Sequence, residues 1–261
     1  MAEASSLGEH LNALQGVLPE GGVSLIGEQL ERVLEQQKST LGLASVGALL
    51  FALWSANAGT KSIIDALNLV YSETEKRSFI KLNAVSLAFT LGLLMFGAIA
   101  IIALTVLPTI LTAMGLGPTG ELIVKIARWP ALLVAVALVL ALIYRFGPSR
   151  EHPQWQWVSP GSAFAAITWV VVSLAFSFYA ENFGSYNKTY GTLGAAIGFM
   201  IWMWLSTIVV LTGAELNAEL EHQTEKDTTS GPARPRGERG AEMADRPSPA
   251  PRKSSTLVRL S

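Results

Sequence analysis

Cysteine is absent from this chain. Its absence excludes a disulfide framework, a thiolate nucleophile and a cysteine-ligated metal. Histidine is scarce: His10, His152 and His222 stand far apart, none in an HxH or HExxH setting. Metal-assisted hydrolysis of RNA needs histidine and carboxylate ligands gathered at one point. A phosphate-cradling GxxxxGK[ST] loop is lacking as well. These absences predict no bound metal, no cofactor and no enzymatic role, nuclease activity included. Charge is the third shortage, at 15% of residues where globular domains carry about 25%. No cleavable leader is expected, since residues 1–40 have neither a basic n-region nor an apolar h-region. Insertion is expected to begin with the first span.

Half of the chain is apolar, and the few charges are bunched. No Asp, Glu, Lys or Arg falls between Lys38 and Lys61, Lys81 and Glu121, Arg128 and Arg145, His152 and Glu181, or Lys188 and Glu215. An uncharged apolar run of roughly 18 residues suffices for a membrane-spanning helix. The third run is shorter, but Arg128 and Arg145 at its ends can snorkel to the headgroups. The pattern predicts an all-α, polytopic transmembrane bundle with five spans, near Leu41–Ala58, Leu82–Leu107, Trp129–Phe146, Pro160–Ala180 and Thr192–Thr212. Barrel strands are excluded because the runs do not alternate, and backbone groups in hydrocarbon must be satisfied within the segment. Pro108 is expected to end the second span. Pro160 is expected to open the fourth, in a first turn where no helical hydrogen bond is lost. With alternating spans, lysine and arginine number fourteen on one side and five on the other. The positive-inside rule then places the Gly59–Lys81 loop and the C-terminus in the cytoplasm.

Residues 1–40 read as an extracytoplasmic segment with an amphipathic helix. Ile26, Leu30, Val33 and Leu34 recur at helical spacing opposite Glu28, Glu31 and Glu35. Its acidic face suits packing over the outer ends of the spans better than lying flat on lipid. Residues 41–221 form the transmembrane domain. Residues 222–261 contain "TSGPARPRGERGAEMADRPSPAPRKSS", rich in proline, glycine and charge of both signs. So little apolar content predicts a disordered, solvated cytoplasmic tail, with no specific nucleic-acid partner.

Two stretches, Leu53–Arg77 and Tyr144–Glu221, strongly resemble the YihY/BrkB family of bacterial inner-membrane proteins. The likeness is sharpest in "NFGSYNKTYG" (Asn182–Gly191) and "GAELNAELE" (Gly213–Glu221), and covers about residues 20–221. It implies a six-span protein of the bacterial cytoplasmic membrane. Members have been labelled ribonuclease BN or grouped with serum-resistance and transport proteins. The resemblance also implies a further span before the acidic outer segment, where Met1 stands here. Either the start is placed too late or this is a five-span variant; the charge-derived orientation favours the former.

The polar residues within these motifs are the candidate sites. Asn57, in "WSANAGTKS", can hydrogen-bond a neighbouring helix or line a cavity. Asp65, Asn68, Glu75 and Arg77 resemble the family's polar positions and read first as structural ion pairs. In "GSYNKTYG", Gly184 and Gly191 bracket an outer turn. Gly191, Gly194 and Gly198 form a small-residue stripe that admits another helix. Asn187, Lys188 and Thr189 remain as donors at the outer mouth, able to meet a lipid phosphate, against a purely structural turn. Glu215 and Glu219 share a helix face with Asn217 off it. A carboxylate at the membrane boundary is costly unless paired or wet, which makes Glu215 a candidate. Arg145, Arg150, Trp155 and Trp157 are its candidate partners. Together these residues point to transport or organisation of an anionic lipid or other amphiphile, with membrane lipids as partners. A non-transporting structural protein of envelope assembly is the alternative, and a homo-oligomer stays open.

Overall fold

A computed structural model of the chain describes residues 43–113, 117–183 and 192–246. Among them run six helices: α1 (Leu43–Val70), α2 (Phe79–Ala113), α3 (Gly117–Phe146), α4 (Trp155–Phe183), α5 (Thr192–His222) and the single turn α6 (Glu242–Asp245). Four are long and apolar enough to cross a membrane, over Phe79–Ala103, Ile126–Phe146, Trp155–Ala180 and Gly194–Gln223. Five spans were expected; α1 has 28 residues but is not among the four. The apolar side chains of these four helices and of α1 point outward, with Leu49, Phe51, Ile99, Val134, Val171 and Met200 all exposed. A surface this apolar is stable in hydrocarbon rather than in water.

The tight half of the bundle is α3, α4 and α5, with the most extensive interface between α4 and α5. Its core joins Leu140, Ala141 and Tyr144 to Val158, Ala165 and Ala166 and to Val209, Ala214 and Ala218. Leu67 and Tyr71, from the end of α1, complete it. Small residues set the separation: a Cβ on Gly213 would lie 2.6 Å from the Ala165 Cβ and 2.7 Å from the Gly161 carbonyl. A Cβ on Gly161 would run into the Gly213 carbonyl and the Asn217 carboxamide. Deeper along the same interface, two tryptophans exchange hydrogen bonds with serines. Trp169 Nε1 donates to Ser206 Oγ at 3.0 Å and Trp202 Nε1 to Ser173 Oγ at 3.1 Å. The two indoles lie 5.8 Å apart in a tilted pair. Tyr144 Oη donates to the Val210 carbonyl at 2.7 Å, tying α3 to α5.

Several expectations are corrected. Helix α2 does not end at Pro108 but continues to Ala113. Helix α4 starts at Trp155, so Pro160 lies inside it rather than opening it. The close approach of helices falls at Gly161 and Gly213. Beside Gly198 there is open space, and Gly194 is half-buried. Residues 224–246 are not a disordered tail: Thr228, Thr229, Arg239, Ala241 and Ala244 are buried. The expected extracytoplasmic segment 1–40, the expected turn at 184–191 and residues 247–261 lie outside the described residues.

The glycine contact makes a direct prediction. Gly161→Ala is expected to destabilise the detergent-solubilised protein by about 1–3 kcal/mol, the usual cost of overpacking. Gly198→Ala, at a site with room for the methyl group, is expected to leave the melting temperature within error. Thermal unfolding followed by circular dichroism checks both.

Candidate functional site

The polar end of the bundle is where α1 stops, α2 starts, α3 passes to α4 and α5 ends. Helix α1 terminates with Ser72 at φ 54°. Glu73 N donates to the Asn68 carbonyl at 2.7 Å and Ser72 N to the Leu69 carbonyl at 3.0 Å. This bond pair is a Schellman stop with serine where glycine is usual. The turn aims two carboxylates. Glu75 receives Arg77 Nε at 2.8 Å and Nη2 at 2.8 Å, and Asn68 Nδ2 at 3.1 Å. Arg77 also donates to the Gly147 carbonyl at 2.7 Å, and Asn68 Oδ1 accepts Ser149 N at 2.7 Å. The α1–α2 loop is thereby fastened to the α3–α4 loop.

A second pair is deeper. Arg150 and Glu221 form a salt bridge with side chains 1% and 2% exposed. The other Glu221 oxygen accepts the Thr228 hydroxyl. The Arg150 guanidinium also stacks over Tyr71, 4.1 Å from the ring centroid. Burial drives the Tyr71 hydroxyl up to about 12, against the opposing pull of the Arg150 charge. Beside this pair, Asn217 Oδ1 accepts Gly161 N at 2.7 Å and Nδ2 donates to the Val158 carbonyl at 3.1 Å.

Residues 224–246 cap this end. Arg239 is the hub, donating to the carbonyls of Lys226, Ala244 and Glu225. Asp227 accepts Thr229 N and Arg234 N, and Asp245 accepts Gly237 N, Arg239 N and Gly240 N. Hydrogen bonds from Arg234 and Thr229 outweigh burial and lower the Asp227 pKa. The cap docks through an antiparallel bridge between Pro153 and Thr229. Further bonds run from Glu151 N to the Gly240 carbonyl and from Glu242 N to Glu73 Oε1.

Helix α2 carries two different faces into the membrane. Toward α1 it turns Asn83, Ser86 and Thr90, at spacings of three and four. Lys61 Nζ donates to Asn83 Oδ1 at 2.6 Å, and the Thr60 and Thr90 hydroxyls meet at 2.8 Å. Asn57, one turn beyond Thr60, is 9% exposed, and its Oδ1 is buried without a hydrogen-bond partner. Toward α3 the face is apolar and borders a groove of about 420 Å³, lined by Val85, Phe89, Gly92, Leu142 and Phe146 among others. No polar side chain lines it. Among the described residues, no three His, Asp or Glu side chains converge as metal ligands.

The virulence factor BrkB family matches residues 2–238. The chain belongs to the BrkB family. YfkH of Bacillus subtilis (strain 168), whose name describes it as ribonuclease-like, is 31% identical over 83% of this chain and 78% of its own length. The UPF0761 membrane protein VP0125 of Vibrio parahaemolyticus is 28% identical over 80% of this chain and 66% of that protein. RC1_0578 of Rhodospirillum centenum, also a UPF0761 membrane protein, is 31% identical over 74% of this chain and 40% of its own length. The chain thus spans less than two thirds of some of these relatives. No solved structure matches it. With four apolar spans and relatives named as membrane proteins, this is a multi-pass membrane protein. The family match extends past Glu221 into the cap, beyond the reach of the resemblance read from the sequence.

Of the sequence-predicted contact residues, Asn57 and Glu215 are described, and they lie on different helices. Asn57 is buried on α1, one turn from Thr60. Glu215 is exposed on α5, while Arg150 pairs with Glu221 instead. Arg145 lies over Trp155, 4.7 Å from the ring centroid, and donates to Ser230 Oγ and the Pro153 carbonyl. Asn187, Lys188, Thr189 and Gly191 lie outside the described residues. Sequence reasoning passed over Asn217 and Glu221. Their signal was the face Gly213, Ala214, Asn217, Ala218 and Glu221, small residues alternating with polar ones at helical spacing.

Glu75 gives the polar end a pH signature. Burial acts to raise its pKa, but the hydrogen bonds from Arg77, Asn68 and Ser149 outweigh it and hold the carboxyl at about 2. The folded value lies below the ordinary 4.5, so the ionised group stabilises the fold above about pH 4.5. That contribution is lost as pH falls towards 2. Melting temperatures are expected to drop through this window in wild type. Glu75→Gln is expected to melt lower at pH 7 and to depend less on acid.

Proposed function

We propose that this BrkB-family protein transports or organises an anionic lipid or other amphiphile in a bacterial cytoplasmic membrane. In this reading α1 is a fifth span, and the C-terminal cap faces the cytoplasm with the Gly59–Lys81 loop. The Lys/Arg bias of fourteen against five supports that orientation. The observation that carries the proposal is the apolar groove between α2 and α3. Its volume falls within the range of roughly 300–1,000 Å³ seen for ligand sites, and its lining suits hydrocarbon rather than a polar solute. The buried, unpartnered Asn57 oxygen beside the same helix is a further support, since polar groups inside a membrane tend to be retained for function.

No enzymatic role is part of this proposal. The description of YfkH as ribonuclease-like belongs to that protein; here His10, His152 and His222 stand on separate segments. The structural alternative draws on a different observation, the fastening of three loops through Glu75–Arg77 and Arg150–Glu221.

Reconstitution decides between them. Proteoliposomes carrying a fluorescent phosphatidylglycerol in both leaflets are expected to expose the inner pool to an external quencher faster than protein-free liposomes. Equal rates, with correctly folded protein in the bilayer, would refute transport of that lipid and favour the structural reading.

A further inference from the structure

The two faces of α2 solve different problems. The Asn83–Ser86–Thr90 face satisfies its polar atoms against α1 and itself: Thr90 Oγ1 reaches the Ser86 carbonyl at 2.8 Å and the Thr60 hydroxyl at 2.8 Å. The opposite face runs Lys81, Val85, Ala88 and Gly92, at spacings of four, three and four, along one side of the helix. Val85, Ala88 and Gly92 line the groove. Small residues at such positions normally let a second helix close in. Here a Cβ on Gly92 would meet nothing within 4 Å, so α3 has not closed the space. An apolar gap facing a bilayer fills with hydrocarbon.

Lys81 stands one turn from Val85, at the polar end of the groove, and is exposed. Neighbouring cations at this end are committed. Lys76 pairs with Glu73, Arg77 with Glu75 and Arg150 with Glu221, while Lys61 is held by Asn83. Among the described residues, no carboxylate lies within ion-pair distance of Lys81. Arg77 donates towards the Phe146 carbonyl at 3.5 Å, which brings a guanidinium to the same end of the groove. A charge left free at the mouth of a wholly apolar channel matches an amphiphile whose anionic head and hydrocarbon chain are joined.

We infer that the α2–α3 groove binds an anionic glycerophospholipid of the surrounding bilayer, with an acyl chain along Val85, Ala88 and Gly92 and its phosphate at Lys81. This rests on the amphiphile reading above and names its class and its selecting residue. The chain contacts supply retention, because they are indifferent to the head. Lys81 supplies the preference for negative charge, because a zwitterionic head offers it less net attraction.

Native mass spectrometry from nanodiscs of equal phosphatidylglycerol and phosphatidylethanolamine tests this. Wild type is expected to carry out phosphatidylglycerol in excess. Lys81→Gln is expected to cut that excess by about fivefold, the weight of one lysine at an anionic surface. The same change at exposed Lys226 in the cap is expected to leave it intact. Gly92→Leu, at a position where a Cβ meets no atom within 4 Å, is expected to reduce retention of both lipids. The inference is overturned by equal retention of the two lipids in wild type, by an excess that survives Lys81→Gln, or by retention unchanged in Gly92→Leu. Lipid retained with the expected dependence but no transport in proteoliposomes would leave this site standing and remove the transport reading. Transport without selective retention would do the reverse.

Discussion

Pro160 removes a backbone donor inside α4, the one that would reach the Gln156 carbonyl, and the carboxamide of Asn217 grips the neighbouring backbone. One side chain there serves both a donor, Gly161 N, and an acceptor, the Val158 carbonyl. A buried group left unpaired costs about 1–3 kcal/mol, so these two bonds hold α5 at this distance. The distance in turn requires that residues 161 and 213 carry no Cβ. The rest of the polar end is built outward from that contact. It fixes the face of α5 that presents Glu221 to Arg150, one turn beyond Asn217.

The Arg150–Glu221 pair explains why a hydrophilic segment folds over the bundle. Two ions with almost no exposure incur a desolvation penalty that their attraction offsets only when remaining donors and acceptors are also satisfied. Thr228 supplies one such bond and the Tyr71 ring another contact, while Arg150 Nε stays buried without a hydrogen-bond partner. The cap has little apolar material of its own. It is held instead by Arg239 gathering carbonyls and by two aspartates gathering backbone N–H groups, with Gly231, Gly237 and Gly240 at positive φ making the turns.

That mode of folding is why the cap was illegible. Composition arguments ask whether a segment can bury enough apolar surface, and by that measure residues 224–246 fail. What they do bury is polar and satisfied, which no count of hydrophobic residues registers. The spans, by contrast, were legible because the absence of charge is a one-dimensional signal, and four of the five predicted runs reappear as apolar helices. Neither Pro108 nor Pro160 bounds its helix, because a neighbouring helix can re-satisfy the backbone around a proline. Spacing alone offered Gly191–Gly194–Gly198, but whether a stripe is used depends on what faces it, and Gly198 faces open space.

The bundle is therefore uneven. Helices α3, α4 and α5 interlock through small residues, paired indoles and a buried ion pair, whereas α2 touches its neighbours through a thin polar seam on one side and a groove on the other. An energetic asymmetry follows. Moving α4 against α5 would break satisfied hydrogen bonds in a low-dielectric setting, but shifting α2 away from α3 exchanges hydrocarbon contacts for lipid contacts of the same kind. Lipid tails are as apolar as the groove lining, so the hydrophobic effect does not close that interface. The groove of the proposed amphiphile thus lies in the half of the protein that packs least, and the rigid half supplies its frame.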